Sequence, residues 1–215
     1  MTQTIVHLVR HGEVHNPEKI LYGRLPGYRL SHLGERMAER AGEFLSTRDI
    51  ATVTASPLTR AQQTAAPIAQ PHGLPVGEDE RLLEAINYFE GHRMGHGEAS
   101  FTRPANWKYF LNPLRPSWGE PYRDQVDRVM AAVADVRELA YGREAVLVLH
   151  QLPIWLARRA AEGKRLVHDP RRRQCGLASV TSFVFDDAEL VRVDYAEPSA
   201  DLYRNAVDAT GGKLT

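Results

Sequence analysis

The stretch TIVHLVRHGE, residues 4 to 13, decides how the rest of the chain is read. Its first six residues are largely β-branched and apolar over strand length, and the run stops abruptly at Arg10 and Gly12. An apolar strand that empties into arginine, histidine and glutamate makes a poor buried segment unless those groups face a cavity, because burying an unpaired charge is costly. The pattern therefore predicts a strand that delivers Arg10 and His11 to a site at its carboxyl end.

Outward from that strand, helices and strands alternate. A loop rich in Gly and Pro, residues 16 to 31, leads to Ser31, which reads as the N-cap of a helix with Leu33, Met37, Ala41, Phe44 and Leu45 on one face. ATVTAS, residues 51 to 56, reads as a second strand; Ser56-Pro57 then supplies an N-cap with proline at the first helical position, Arg60 falls in the first turn, and Pro71 and Gly73 end the helix. Residues 122 to 141 form an amphipathic helix with Val126, Val129, Val133, Val136 and Ala140 at three- and four-residue spacing. AVLVLH, residues 145 to 150, has the continuous apolar character of a central parallel strand and ends on His150; Pro153 opens a further helix through about Ala161. SVTSFVF and LVRVDY suggest a terminal strand pair, and no period is visible after about Ser199. The alternation predicts an α/β fold, a three-layer α/β/α sandwich with a mainly parallel central sheet. One domain is expected over residues 1–215, with a lid-like insertion at about 86–121, where glycines and prolines break the pattern but aromatics remain frequent.

Composition narrows the function classes. Lys+Arg and Asp+Glu balance at 27 each, so the chain lacks the electrostatic footprint of a nucleic-acid binder, and hydrophobic residues at 43% and charged residues at 25% are ordinary for a globular protein. The first residues show no basic region followed by a long apolar core, and no window is apolar for about 18 residues, which predicts a cytoplasmic protein with no membrane partner. Cys175 is the single cysteine, so it is expected to be a small buried hydrophobe. His7, His11 and His15 recur every four residues, but a strand does not gather that spacing into a metal site. Arg171, Arg172 and Arg173 read as a solvated face, with the alternative that this proline-preceded loop reaches the site mouth.

In parallel sheets ligands bind beyond the carboxyl ends of the strands, where Arg10, His11, Arg60 and His150 are all expected. Two arginines with forks suited to oxyanions, beside the starts of two helices with unpaired N–H groups, favour phosphate. An imidazole nitrogen next to bound phosphate can attack phosphorus and form a hydrolysable phosphohistidine.

RHGE after a strand, the later SPLTRAQQTA, the glutamate of RLLEAINYFEG and a second histidine ending an apolar strand together resemble the histidine phosphatase superfamily, also called phosphoglycerate mutase-like. The resemblance implies that His11 is the phosphorylated nucleophile, that Arg10, Arg60 and His150 hold the phosphate oxygens, that Glu84 protonates the leaving group, and that Asn16 also touches phosphate. It implies no metal and no cofactor, and a small phosphorylated metabolite or phosphate as ligand. Glu84 is expected to be depressed by the two arginines in the empty site and restored when a phosphate dianion cancels their field. Two departures stand out. Gln151 occupies the place of the family's usual glycine, where it narrows the pocket or bonds substrate, and Ala85, Ile86, Asn87 and Tyr88 replace the mutases' Arg-x-Tyr-Gly type segment. The expectation is therefore a metal-independent phosphatase of the phosphomonoesterase type, the alternatives being a phosphoglycerate-type mutase and a catalytically weak phosphate-ligand binding protein. Tyr22 and Arg24 are the candidate substrate contacts from the first loop.

Overall fold

The computed structural model of the chain describes residues 2–93 and 119–206. Among these residues the strands are β1 (Gln3–Arg10), β2 (Ile50–Ala55), β3 (Val76–Glu78), β4 (Glu144–Leu149), β5 (Val180–Asp186) and β6 (Glu189–Ala196). They form one sheet in the order β3-β2-β4-β1-β5-β6. The first four are parallel, and β5 and β6 are antiparallel additions at the β1 side. Helices α1 (His32–Leu45), α2 (Thr59–Ala69), α3 (Tyr122–Leu139) and α4 (Gln151–Ala161) carry the crossovers.

Alternation along the buried strands sorts the core into two layers. Val9, Val53, Ala55, Val146 and Val148 face Met37, Ala41 and Leu45 of α1 and Ala61, Ala65 and Ile68 of α2. Val6, Leu8, Ala145, Leu147 and Leu149 face Val129 and Val133 of α3 and Ile154 and Ala157 of α4. Each such Val, Leu or Ile, removed from water, contributes about 1.5–3 kcal/mol. β1 and β4 are apolar on both faces because both faces are covered, which gives the expected three layers.

Strand ends fall within a residue of the sequence reading, and Ser31 caps α1 as expected, accepting from the Gly34 N–H. The second helix starts later than expected, at Thr59 after Leu58, so Pro57 lies outside it. Ser56 is drawn instead toward His150, to which it hydrogen-bonds. β3 escaped the sequence reading because three residues are too few to show alternation. The tail beyond Ser199 has a short 3₁₀ turn, Ala200–Asn205, that buries Leu202 and Tyr203. The two flanks of the insertion are tied by a bridge between Asn87 and Gly119 and by the Glu120 N–H donating to the Ile86 carbonyl (3.1 Å). Trp107, Tyr109, Phe110, Trp118 and His96 lie outside the described residues. No helix among the described residues is long and apolar enough to cross a membrane.

Candidate active site

Register alone assembles the first part of the site. Arg10 stands opposite Leu149 and Ala55 opposite Val148, so the residues that follow, His11, Ser56 and His150, leave the sheet side by side. The His11 N–H donates to the Leu149 carbonyl (3.1 Å) and the Ser56 N–H to the Val148 carbonyl (2.9 Å), which extends the ladder one step into the site. The His11 and His150 rings then lie 5.2 Å apart.

His11 is buried, and its Nδ1 is 2.7 Å from the Gly12 carbonyl oxygen. A carbonyl only accepts, so Nδ1 carries a proton, and in the neutral ring the lone pair is on Nε2. The Gly12 N–H is held by the Thr64 hydroxyl (3.1 Å), which in turn donates to the Arg60 carbonyl (2.8 Å). Glycine is required at position 12 by close approach, since a Cβ there would meet the Gly34 carbonyl oxygen at 2.4 Å. The first turn of α1 is thereby packed directly against the loop of His11 and Gly12.

Arg10 and Arg60 are fully buried. Arg10 donates from Nη1 to the Cys175 carbonyl (2.8 Å); Arg60 donates from Nη2 to the Gly23 carbonyl (2.6 Å) and stacks over Tyr22 at 4.7 Å. Cys175 is buried, as expected of it. Neither α2 nor α4 has a side-chain N-cap, so their first N–H groups are available to an anion at this rim. His150 has Nε2 2.9 Å from the Ser56 hydroxyl and Nδ1 3.4 Å from Arg60 Nη2. Burial first, then the charge of Arg60, pushes its pKa well below the ordinary histidine value, so the ring is neutral.

Glu84 follows a 3₁₀ turn, Glu80–Leu82, and its Oε1 accepts from the Ala85 N–H (2.9 Å). Burial raises its pKa above the usual carboxylate value, outweighing the Ala85 hydrogen bond and the fields of Arg60, Arg10 and Arg173. This overturns the expectation that the arginines depress it in the empty site. Desolvation of the carboxylate is the larger effect, so the Glu84 pKa stands above its ordinary value before any ligand arrives.

The residues expected to touch substrate are distributed differently from one another. Tyr22 lies against both Arg60 and His11, its ring centroid 6.5 Å from the His11 ring. Arg24 braces the Glu84 segment: Nε donates to the Glu84 carbonyl (2.5 Å) and Nη2 to Glu120 (3.1 Å). Glu120 also accepts from Arg128 of α3 (2.7 and 3.1 Å), and Arg128 donates to the Arg81 carbonyl. Asn16 has both amide atoms committed to the backbone of Ile20, so it shapes the loop. Gln151 is buried and donates to the Cys175 carbonyl (3.4 Å) while accepting from Arg173 (3.3 Å). Arg173, the last of the three consecutive arginines, thus turns inward, as one reading of that run allowed. Ser56 and Thr64 lie in the SPLTRAQQTA segment that carried the resemblance but were given no role at the site, and His168 was not singled out in the sequence. His7 is a core histidine bonded to Ser182 (2.8 Å) and Glu144 (2.7 Å).

Two buried imidazoles among buried arginines at the carboxyl edge of a parallel sheet have the chemistry that phosphoryl transfer requires. The chain belongs to the histidine phosphatase superfamily (branch 1), whose family model matches residues 6–197. The uncharacterized protein Rv0525 of Mycobacterium tuberculosis is 53% identical over 198 residues, covering 92% of this chain and 98% of that protein. A probable phosphoglycerate mutase, GpmB, of Citrobacter koseri is 31% identical over 192 residues, covering 81% and 83%. Among solved structures, the mycobacterial glucosyl-3-phosphoglycerate phosphatase Rv2419c in complex with inorganic phosphate superposes with a TM-score of 0.72 at 25% identity, covering 93% of this chain and 99% of that one.

Proposed function

We propose that this chain is a metal-independent phosphomonoesterase that works through a phosphohistidine at His11. The observation that carries this reading is the His11 ring, whose Nδ1 proton is held by the Gly12 carbonyl so that Nε2 bears the lone pair, set beside His150 and the buried arginines. In the first step Nε2 attacks phosphorus, the ester P–O bond breaks, and the leaving oxygen takes the proton of Glu84. The Gly12 carbonyl stabilises the Nδ1 proton, which becomes more acidic once Nε2 is phosphorylated. In the second step water attacks phosphorus and gives its proton to the Glu84 carboxylate, the P–N bond breaks, and phosphate leaves with His11 and Glu84 restored. Arg10 and Arg60 supply the cationic charge that the phosphoryl oxygens need throughout. A bound anion between Arg60 and His150 takes over the Arg60 N–H now aimed at Nδ1, and Ser56 then donates to Nε2 while Nδ1–H points at the anion.

The phosphatase is favoured over the mutase because Glu84 is followed by Ala85, Ile86, Asn87 and Tyr88, with Ile86 and Tyr88 exposed and no arginine among the four. The test is turnover of p-nitrophenyl phosphate by the wild type and His11→Ala with EDTA present, together with rapid-quench mass spectrometry for acid-labile phosphate. Turnover lost by more than about 10³-fold in His11→Ala, with label on His11, is expected. Activity retained in that variant, or abolished by EDTA, overturns the reading. Phosphate transferred between acceptors without net release identifies the mutase instead.

A further inference from the structure

We propose, building on the phosphomonoesterase reading of this site, that Arg173 is a specificity-determining residue that recognises a second anionic group on the substrate, a carboxylate or a second phosphate, with His168 and Gln151 as the positioning residues that hold it. Arg173 is partly buried, and its partner Gln151 donates to the Cys175 carbonyl that also receives Arg10 Nη1, which places it at the edge of the phosphate site. Its Nε donates to His168 Nε2 (2.9 Å) and its Nη1 to Gln151 Oε1 (3.3 Å), while Nη2 makes no hydrogen bond among the described residues. Both acceptors are uncharged. His168 Nδ1 lies 2.7 Å from the Leu166 carbonyl and so carries the ring's proton, leaving Nε2 able to accept from the guanidinium. Burial lowers the His168 pKa to about 4, and the ring stays neutral at physiological pH.

The choice of acceptor has a physical consequence. An arginine held by a carboxylate is already neutralised, whereas one oriented by an imidazole and an amide keeps its full charge and its donor fork for an incoming anion. The neighbouring Asp169 does not alter this, because its carboxylate is taken by Arg171 (3.1 Å to each oxygen). No carboxylate among the described residues forms an ion pair with Arg173, and Arg10 beside it adds to the local positive field. One phosphate dianion already has Arg10 and Arg60. A third guanidinium kept charged at the same rim by neutral partners suits a ligand with charge beyond a single phosphoryl group.

The test is the affinity of the full-length protein for three non-hydrolysable ligands by isothermal titration calorimetry: propylphosphonate, 3-phosphonopropionate and ethylenediphosphonate. The wild type is expected to bind at least one of the two doubly anionic ligands about tenfold or more tightly than propylphosphonate. The larger margin of the two tells carboxylate from second phosphate. In Arg173→Gln that margin falls to within about twofold, and in Arg173→Lys, which keeps charge but loses the fork, it falls part way. A wild type without preference, or a preference unchanged in either variant, overturns the proposal. Turnover of p-nitrophenyl phosphate by the same wild-type preparation separates this result from the phosphatase reading: preference without turnover leaves Arg173 its role and rejects the hydrolase.

Discussion

Two groups of arginines meet at Glu84 and are held in opposite ways. Arg24 and Arg128 share the carboxylate of Glu120, and each extends a further N–H to a backbone carbonyl of the segment that carries Glu84. Arg10, Arg60 and Arg173 are instead oriented by main-chain carbonyls, by His168 and by Gln151. In the first group both guanidiniums are engaged by one carboxylate and serve as braces. In the second, Arg60 and Arg173 have their geometry fixed by neutral acceptors, which leaves their charge for a ligand. Residue type alone does not separate the two roles; the acceptor does.

Glu84 is where the comparison is tested most severely, since its backbone belongs to the braced side and its carboxyl faces the charged side. Glu84→Gln keeps the shape and removes the proton, and turnover of alkyl phosphates is expected to fall by about 10²–10⁴-fold. p-Nitrophenyl phosphate, whose leaving group needs little protonation, loses far less. In the wild type, alkyl phosphate turnover falls as pH rises through the raised pKa of Glu84, because the carboxyl then gives up the proton the leaving group requires. An equal loss on both substrates removes Glu84 from the acid role.

Glu120→Gln sharpens the comparison from the braced side. The pairs are largely shielded, with side-chain exposures of 12% for Glu120, 16% for Arg128 and 28% for Arg24. Removing the shared charge leaves two guanidiniums without their counter-ion, and unfolding by urea should report a loss of about 1–3 kcal/mol. Glu120 holds Arg24 through Nη2 and Arg128 through Nε and Nη2. Without it the N–H groups they extend to the Glu84 and Arg81 carbonyls lose their anchor and Glu84 its fixed position, so kcat on alkyl phosphates is expected to fall by up to about tenfold with KM little changed. A change below about 0.5 kcal/mol with unaltered kcat makes the network an ordinary surface pairing.

The reach of the sequence follows the same division. Arg10, His11 and His150 were legible because each ends an apolar strand, and parallel strands must present their carboxyl ends on one edge. Arg60 was legible because it opens a helix after the second strand. Glu84 was found only through resemblance to a family, as no periodicity surrounds it. The second row of residues left no such mark. Ser56 looked like a helix cap, and its hydroxyl instead sits 2.9 Å from His150; Arg173 looked like one of three solvated arginines; His168 showed no pattern at all. Their roles depend on contacts across 22 residues between Gln151 and Arg173, or 94 between Ser56 and His150, distances over which one sequence has no periodic signal. The pKa of Glu84 failed in sequence for a related reason: its charged neighbours can be counted from motifs, but the depth of its carboxyl cannot.

The smallest effect concerns His168 and pH. Its pKa near 4, against 6.5 for an ordinary ring, means that Nε2 accepts from Arg173 across the physiological range. The preference for a doubly anionic ligand, taken as the ratio of two affinities so that phosphonate titration cancels, should therefore change by less than about twofold from pH 8 to pH 6. A fall centred near 6.5 contradicts the neutral acceptor, because a protonated ring would present N–H to N–H and release the guanidinium. Stability follows the same linkage. Between pH 6.5 and 4 the unfolded ring binds a proton that the folded ring excludes, so the contribution of His168 is complete above 6.5 and is lost as pH falls toward 4. His168→Gln retains an uncharged acceptor without the titration, and its urea midpoint should fall less than that of the wild type between pH 7 and pH 5. If both midpoints fall equally, the ring is not what keeps the Arg173 charge available.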